Sequence, residues 1–263
     1  MVIDFHTHTF PDSIAEKALK AMAKTAEREP RLNGTLSNLH KSMQKYGVAH
    51  SVMLPVATKE SQVEMLNDKA AEMNKLVDIT SFGAIHPEYF EWKYELKRIK
   101  KLGLKGIKIH NHYMRFFFDS NRCMDIVKEA FKNDLMVLVH AGDDPVSPDM
   151  NYCPPEMIKY CLPDLKGGVL IAAHYGGMHN LDRVEKYLVG EDVYIDTSMS
   201  HCFDTFEHCE HILQSHRSDR ILFGSDSPWE DQGLGIDLID KMNLPYDTKE
   251  NIFYRNATRI LDK

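Results

Sequence analysis

The chain has 263 residues, 43% of them hydrophobic, and a formal charge of −7 at pH 7, which supplies a full apolar core and excludes a disordered or fibrous chain. The negative balance argues against nucleic-acid binding through phosphates; the basic stretch Lys93 to Lys105, with Lys97, Arg98, Lys100 and Lys101, reads as a solvated helix face. No apolar run approaches the roughly 18 residues of a membrane span, and a strand starting at Val2 leaves no room for a signal peptide, so a cytoplasmic protein is expected.

Short apolar, β-branched runs follow one another along the chain: Val2 to Phe5, Ala49 to Leu54, Thr80 to Ala84, Gly106 to Ile109, Leu135 to Val139, Gly168 to Ala173, Val193 to Ile195 and Ile221 to Phe223. Helical segments separate them, the pattern of β/α units around a parallel sheet. Leu36, Leu39, Met43 and Tyr46 trace one apolar helix face that stops at Gly47, and Met124, Val127, Ala130 and Phe131 trace another. Asp247-Thr248-Lys249-Glu250 is read as a capping box opening the last helix, which carries Ile252, Ala257 and Ile260 inward. This pattern predicts an α/β fold, a single (β/α)8 TIM barrel forming one domain over residues 1–263, with an open doubly wound sheet as the alternative. Two connections are longer than a barrel needs. Thr9 to Gly34 is expected to hold an extra helix, and Asp143 to Pro155, rich in proline and aspartate, to shape the pocket. Cys123, Cys153, Cys161, Cys202 and Cys209 form no C-x-x-C pair and read as free thiols in a reducing compartment. The sequons at Asn33 and Asn256 then carry no meaning.

Chemistry enters at the strand ends. His6-Thr7-His8 follows the first run, and residues two apart in a strand face one way, so two imidazoles can close on one divalent ion. His140 ends the fifth run, His174 the sixth, and Asp226 follows the eighth in Gly224-Ser225-Asp226-Ser227-Pro228. Each alone has an ordinary reading, as a hydrogen-bonded core-edge histidine or a turn-forming aspartate. Together, five potential ligands at the same end of separate barrel strands would converge on its axis, which points to a metal site.

With these motifs in this order, the chain resembles the amidohydrolase superfamily. It is most similar to the amidohydrolase 2 branch, from Ile3-Asp4-Phe5-His6-Thr7-His8 to Asn256-Ala257-Thr258-Arg259-Ile260. Ala84-Ile85-His86-Pro87 and Gly106-Ile107-Lys108-Ile109-His110 look like that branch's third and fourth strands. The resemblance implies one divalent ion, zinc in the first place, held by His6, His8, His140 and Asp226, with His174 near the substrate. It also implies a metal-dependent hydrolase of a small molecule, acting on an amide, lactone or ester-like bond. The alternative is a nonoxidative decarboxylase similar to aminocarboxymuconate semialdehyde decarboxylase; a phosphoesterase or a noncatalytic metal-binding protein fits less well.

A zinc-like ion brings the pKa of bound water from about 16 to about 7. Asp226 is the expected general base, and His174 the expected donor to a developing oxyanion. Alternation puts Lys108 and His110 inside the barrel. A salt bridge from Lys108 to Asp4, or a substrate contact, is favoured over a carboxylated lysine bridging a second metal, and His110 is a pocket residue or an additional ligand. Arg115, in Asn111 to Phe118, is either an anion clamp or an ordinary exposed arginine, and Asp196-Thr197-Ser198 and Trp229 line the pocket or merely pack. His201, His208, His211 and His216 suit a solvated helix face better than a ligand cluster, and His179 belongs to the start of the helix after Gly177. The expected partner is a small-molecule substrate, and a homodimer is the base-rate assembly.

Overall fold

The computed structural model describes residues 1–199 and 204–262; His201 and Cys202 lie outside the described residues. The chain alternates strands and helices from β1 (Val2–Thr7) onward. The long first connection carries α1 (Asp12–Ala26), the expected extra helix, and α2 (Leu36–Tyr46) follows, capped by the Thr35 side chain and ended by a left-handed Gly47. Then come β2 (Val48–Met53), α3 (Val63–Met73), β3 (Ile79–Ser81), β4 (Gly83–Ala84), α4 (Trp92–Lys101), β5 (Gly106–Ile109), a short α5 (Asn111–Met114) and α6 (Asn121–Lys132). The second half runs through β6 (Met136–Val139), α7 (Pro155–Cys161), β7 (Leu170–Ala172), α8 (Leu181–Tyr187), β8 (Tyr194–Asp196), α9 (Phe206–Ser215) and β9 (Ile221–Leu222). It closes with α10 (Gln232–Lys241), α11 (Tyr246–Glu250) and α12 (Asn256–Leu261).

All paired strands are parallel, in the orders β1-β2-β3 and β4-β5-β6-β7-β8-β9. The third sequence run is split at Phe82, whose amide turns to the Met53 carbonyl at 2.9 Å while its ring packs edge-on against Phe5. The last segment returns to the first. Phe5 N donates to Phe223 O at 2.7 Å, Asp226 N to His6 O at 2.8 Å and His8 N to Ser227 O at 2.6 Å. This is the (β/α)8 TIM-barrel fold, its strand C-terminal ends gathered at one mouth.

Alternation divides the apolar residues into two layers. Ile3, Phe5, Leu138, Ile171 and Leu222 form an inner cluster, whereas Ile107, Ile109, Val137, Val139 and Ile195 pack with the helices. Lys108 pairs in register with Leu138 and is 1% exposed, inside as expected. Asp4 departs from expectation. The β1–β2 register shifts between Asp4 and Thr7, so Asp4 does not share the face of His6. Its carboxylate accepts from Ser225 N at 3.0 Å, Ser225 Oγ at 2.6 Å and Gln232 of α10 at 2.8 Å, and no salt bridge joins it to Lys108 among the described residues.

Three smaller expectations are corrected. Asp247 lies inside α11, whose N-cap is Pro245 with no side-chain hydrogen bond, because Asp247 pairs with Arg255 instead. His179 is an exposed left-handed residue ahead of α8 rather than part of it. His216 is buried, since it ends α9 and turns in to accept from Gly190 N at 3.3 Å and donate to Val193 O at 3.0 Å. Cys123, Cys153 and Cys161 are free thiols and buried, and Cys209 is buried as well. No helix is long and apolar enough to cross a membrane among the described residues.

Candidate metal centre

His6 and His8 leave β1 toward the mouth, and each has one ring nitrogen committed to a protein acceptor. His6 Nδ1 donates to Asp196 Oδ2 at 2.8 Å, and His8 Nδ1 donates to Leu54 O at 2.7 Å. Both Nε2 atoms are thereby left as lone pairs, 3.2 Å apart. Asp226 completes the trio, its Oδ1 lying 3.4 Å from His6 Nε2 and 3.1 Å from His8 Nε2. A tetrahedral ion with bonds of about 2.0–2.1 Å spaces its donors by about 3.3–3.4 Å, so these three atoms fit one. His174 joins them, since His6, His174 and Asp226 each offer a ligand atom within 4.8 Å of the other two. The backbone bond from Asp226 N to His6 O and a left-handed φ of 62° at Asp226 fix the carboxylate beside the imidazoles. Gly224 permits the approach, because a Cβ there would meet His6 Cβ at 2.9 Å and Asp196 Cβ at 3.3 Å.

Asp196, at the end of β8, organises the floor. Besides His6 it accepts from His174 N at 3.0 Å, Ser198 N at 3.1 Å and the Ser198 hydroxyl. Burial pushes its carboxyl up, but His6, Ser198 and His174 outweigh this and hold it below the ordinary carboxylate range. Asp226 balances in the same way: burial opposes ionisation, yet His6 and His8 bring it down to about 2. Burial lowers His6 and takes His174 down to about 4, so both imidazoles are neutral near pH 7 with lone pairs to share.

His140 occupies a different position from the β1 pair. Its Nδ1 lies 3.0 Å from His174 Nε2, while its Nε2 faces Asp143 O at 3.0 Å and Asp144 Oδ2 at 3.5 Å. It is stacked on His110, ring centroids 4.5 Å apart, and His110, His140 and Asp144 form a second group of ligand atoms within 4.8 Å of one another. Burial depresses both imidazoles well below the usual histidine value. Lys108 stands between the groups with Nζ 3.4 Å from His6 Nε2; burial lowers it to about 8 against the pull of Asp226, Asp196 and Asp144.

Asp144 is the participant that sequence reasoning missed, although it lies in the long loop singled out for the pocket. Its neighbour Asp143 is structural, accepting from Asn151 and Asn180 at 2.8 Å each. His112 ties the same loop down, its Nε2 meeting Gly142 O at 2.8 Å and its Nδ1 meeting Ser147 Oγ at 2.6 Å. Arg115 is exposed, on a left-handed residue ending α5.

The family model described as Amidohydrolase matches residues 3–263. No curated protein matches the chain in sequence. Among solved structures, an uncharacterized TIM-barrel protein from Bordetella bronchiseptica is similar with TM-score 0.80 at 16% identity, over 99% of this chain and 98% of that one. A dihydroxybenzoic acid decarboxylase from a Polaromonas species, with bound manganese and an inhibitor, gives TM-score 0.71 at 15% identity, over 99% and 96%. A probable 2-pyrone-4,6-dicarboxylic acid hydrolase from Acinetobacter baumannii, with citric acid bound, gives 0.70 at 13% identity, over 100% and 99%. At these identities the likeness is one of fold.

Proposed function

Because this chain belongs to the amidohydrolase family, whose members include metal-dependent hydrolases and decarboxylases, we propose that it is a metal-dependent hydrolase of a small molecule, opening an amide, lactone or ester-like bond. The observation that carries this is the trio of His6 Nε2, His8 Nε2 and Asp226 Oδ1 at 3.1–3.4 Å, each with no proton of its own to offer. Zinc suits such donors, and manganese, bound in the Polaromonas protein, is the competing ion. His174 belongs at the edge of the same site, and the reading takes residues 1–263 as one cytoplasmic domain.

A divalent ion there supplies Lewis acidity and lowers the pKa of water. The residues supply the rest. Asp226, ionised down to about pH 2, takes up the proton of the attacking water and passes it to the leaving group. Asp196 holds His6 in the tautomer that exposes Nε2. His174, held by Ser198 at Nδ1, meets His140 Nδ1 through its Nε2 at 3.0 Å and lies beside His6 and Asp226.

One observation favours decarboxylation as a second reading. Lys108 is a buried ammonium beside the trio with no carboxylate within salt-bridge distance among the described residues, which suits a substrate carboxylate arriving there. The test is turnover of lactones and amides beside aromatic carboxylates by the metal-loaded protein. Ring opening or amide cleavage supports hydrolysis, released carbon dioxide supports the lyase, and a protein that binds no ion after reconstitution overturns both.

A further inference from the structure

The short helix α5 follows directly on β5 at the barrel mouth and spends most of its side chains on structure. Asn111 is buried and donates to Phe116 O at 2.9 Å, His112 meets Gly142 O and Ser147 Oγ, and Met114 packs into the core. Tyr113 is the exception. Its ring lies edge-on to His110, with centroids 4.5 Å apart and planes at 72°, which fixes it beside the histidines of the mouth. Its hydroxyl, on a half-buried side chain, has no hydrogen-bond partner among the described residues.

Other half-buried tyrosines of this protein do not leave the hydroxyl so. Those of Tyr46, Tyr89 and Tyr254 each donate to a carboxylate. A phenol whose ring is held and whose tip is unpaired is placed to donate to something that arrives. The charges that reach the tip say where it stands. Asp144 on the long loop and Asp226 after the last strand both act on the phenol, so the hydroxyl lies over the space between them. Asp226 Oδ1 also belongs to the trio, and the same space therefore borders His8 Nε2, 3.1 Å from that oxygen. Burial and the two carboxylates raise the phenol above its ordinary value, and it carries its proton at any working pH.

We propose that Tyr113 is a catalytic residue whose hydroxyl donates to the carbonyl oxygen of the bond attacked beside the trio. It holds the negative charge that gathers on that oxygen as the carbon becomes tetrahedral, and the proton stays on the phenol throughout. This rests on the hydrolytic reading of the trio, and it adds a second donor beside His174. The hydroxyl needs no rearrangement to act, since no bond to the protein has to be broken first.

Tyr113→Phe removes the oxygen and keeps the ring on His110. The variant is expected to melt at the same temperature as the unaltered protein, with and without zinc, and to hold as much zinc by elemental mass spectrometry. Two probes then report on the hydroxyl in zinc-loaded protein. Methylphosphonate, a tetrahedral oxyanion, is expected to bind the variant about 10-fold more weakly in calorimetry. With p-nitrophenyl acetate, kcat is expected to fall about 100-fold while KM changes little. Full affinity and full kcat in the variant overturn the role of Tyr113 and leave the proposed function standing. A raised KM with unchanged kcat overturns it too, because the hydroxyl would then serve binding alone. A melting temperature lowered along with the rate would make the hydroxyl structural. An unaltered protein that holds zinc and cleaves no ester counts against the proposed function, and the methylphosphonate comparison still decides whether Tyr113 holds an oxyanion.

Discussion

The two histidine groups at the barrel mouth differ in what holds them in place. The His6, His8 and Asp226 trio is fixed by strand hydrogen bonds: His6 lies in β1, and the amides of His8 and Asp226 are bonded across to the last segment and back. The His110, His140 and Asp144 group has two members on strand ends and one on a loop. That loop is fastened by His112, by Asp143 and by Gly142, whose backbone pairs with Cys153 on one side and Met178 on the other. Geometry set by strands resists displacement; geometry set by a loop depends on each fastening. Changes in the trio are therefore expected to alter chemistry in a folded protein, and changes in the loop to alter one group while sparing the other.

The largest expected effect tests the strand-borne side. Asp226→Asn removes the charge facing both imidazoles and the expected proton acceptor, and is expected to lower kcat by about 100-fold or more. Steady-state rates alongside metal content check it, and normal turnover with the ion retained overturns the general-base role. The loop-borne side is tested by Gly142→Ala. Gly142 has a φ of +87°, and a Cβ would meet Met178 N at 2.1 Å and Met178 O at 2.3 Å, both backbone atoms that cannot step aside. A loss of about 2–4 kcal/mol is expected in denaturant unfolding. If Asp226 keeps its ion in that variant, the two groups are mechanically separate.

Asp196→Asn sharpens the comparison from beneath. It keeps the size of the side chain but weakens the acceptor that orients His6 Nδ1, so affinity for a divalent ion at the His6, His8 and Asp226 trio is expected to fall about 10–100-fold in a chelator competition. Unchanged affinity would mean that the contact from Asp196 does not orient His6 for the ion.

The same division explains what the sequence made legible. Strand ends announce themselves, because an apolar run that stops at His6, His110, His140 or His174 places the imidazole at the mouth whatever the loops do. Asp196 was visible in the same way, at the end of its run, though its part in holding His6 depends on a contact across the barrel. Asp144 was not legible, since nothing in Asp143-Asp144 tells which carboxylate turns inward; Asn151, Asn180 and Val146 decide that only after folding. The Asp4 to Lys108 pairing failed for a related reason, because strict alternation carries no sign of the register shift in β1 that turns Asp4 toward Gln232. The split at Phe82 likewise came from an amide pairing across strands rather than from the apolar pattern of Thr80 to Ala84.

His216 gives the smallest expected effect and a standard for the other histidines. It is buried as they are, and burial lowers its basicity, but both its nitrogens are satisfied by backbone, one accepting from Gly190 and one donating to Val193. Protonation would set a new N–H against the Gly190 N–H, so the folded state resists it while the unfolded chain titrates near the ordinary value of about 6.5. The folded pKa is the lower one. The contribution is thus complete above about pH 6.5 and is lost as the pH falls through the unfolded value toward the folded one. His216→Gln removes that dependence, and thermal midpoints measured from pH 7.5 down to 5 should fall less steeply in the variant. The ligand histidines should behave otherwise, because saturating metal blocks their protonation and shifts the acid limb of the stability curve, leaving the part due to His216 unchanged. An acid limb that metal shifts equally in the His216→Gln protein and in the unaltered one would assign that shift to the barrel mouth alone.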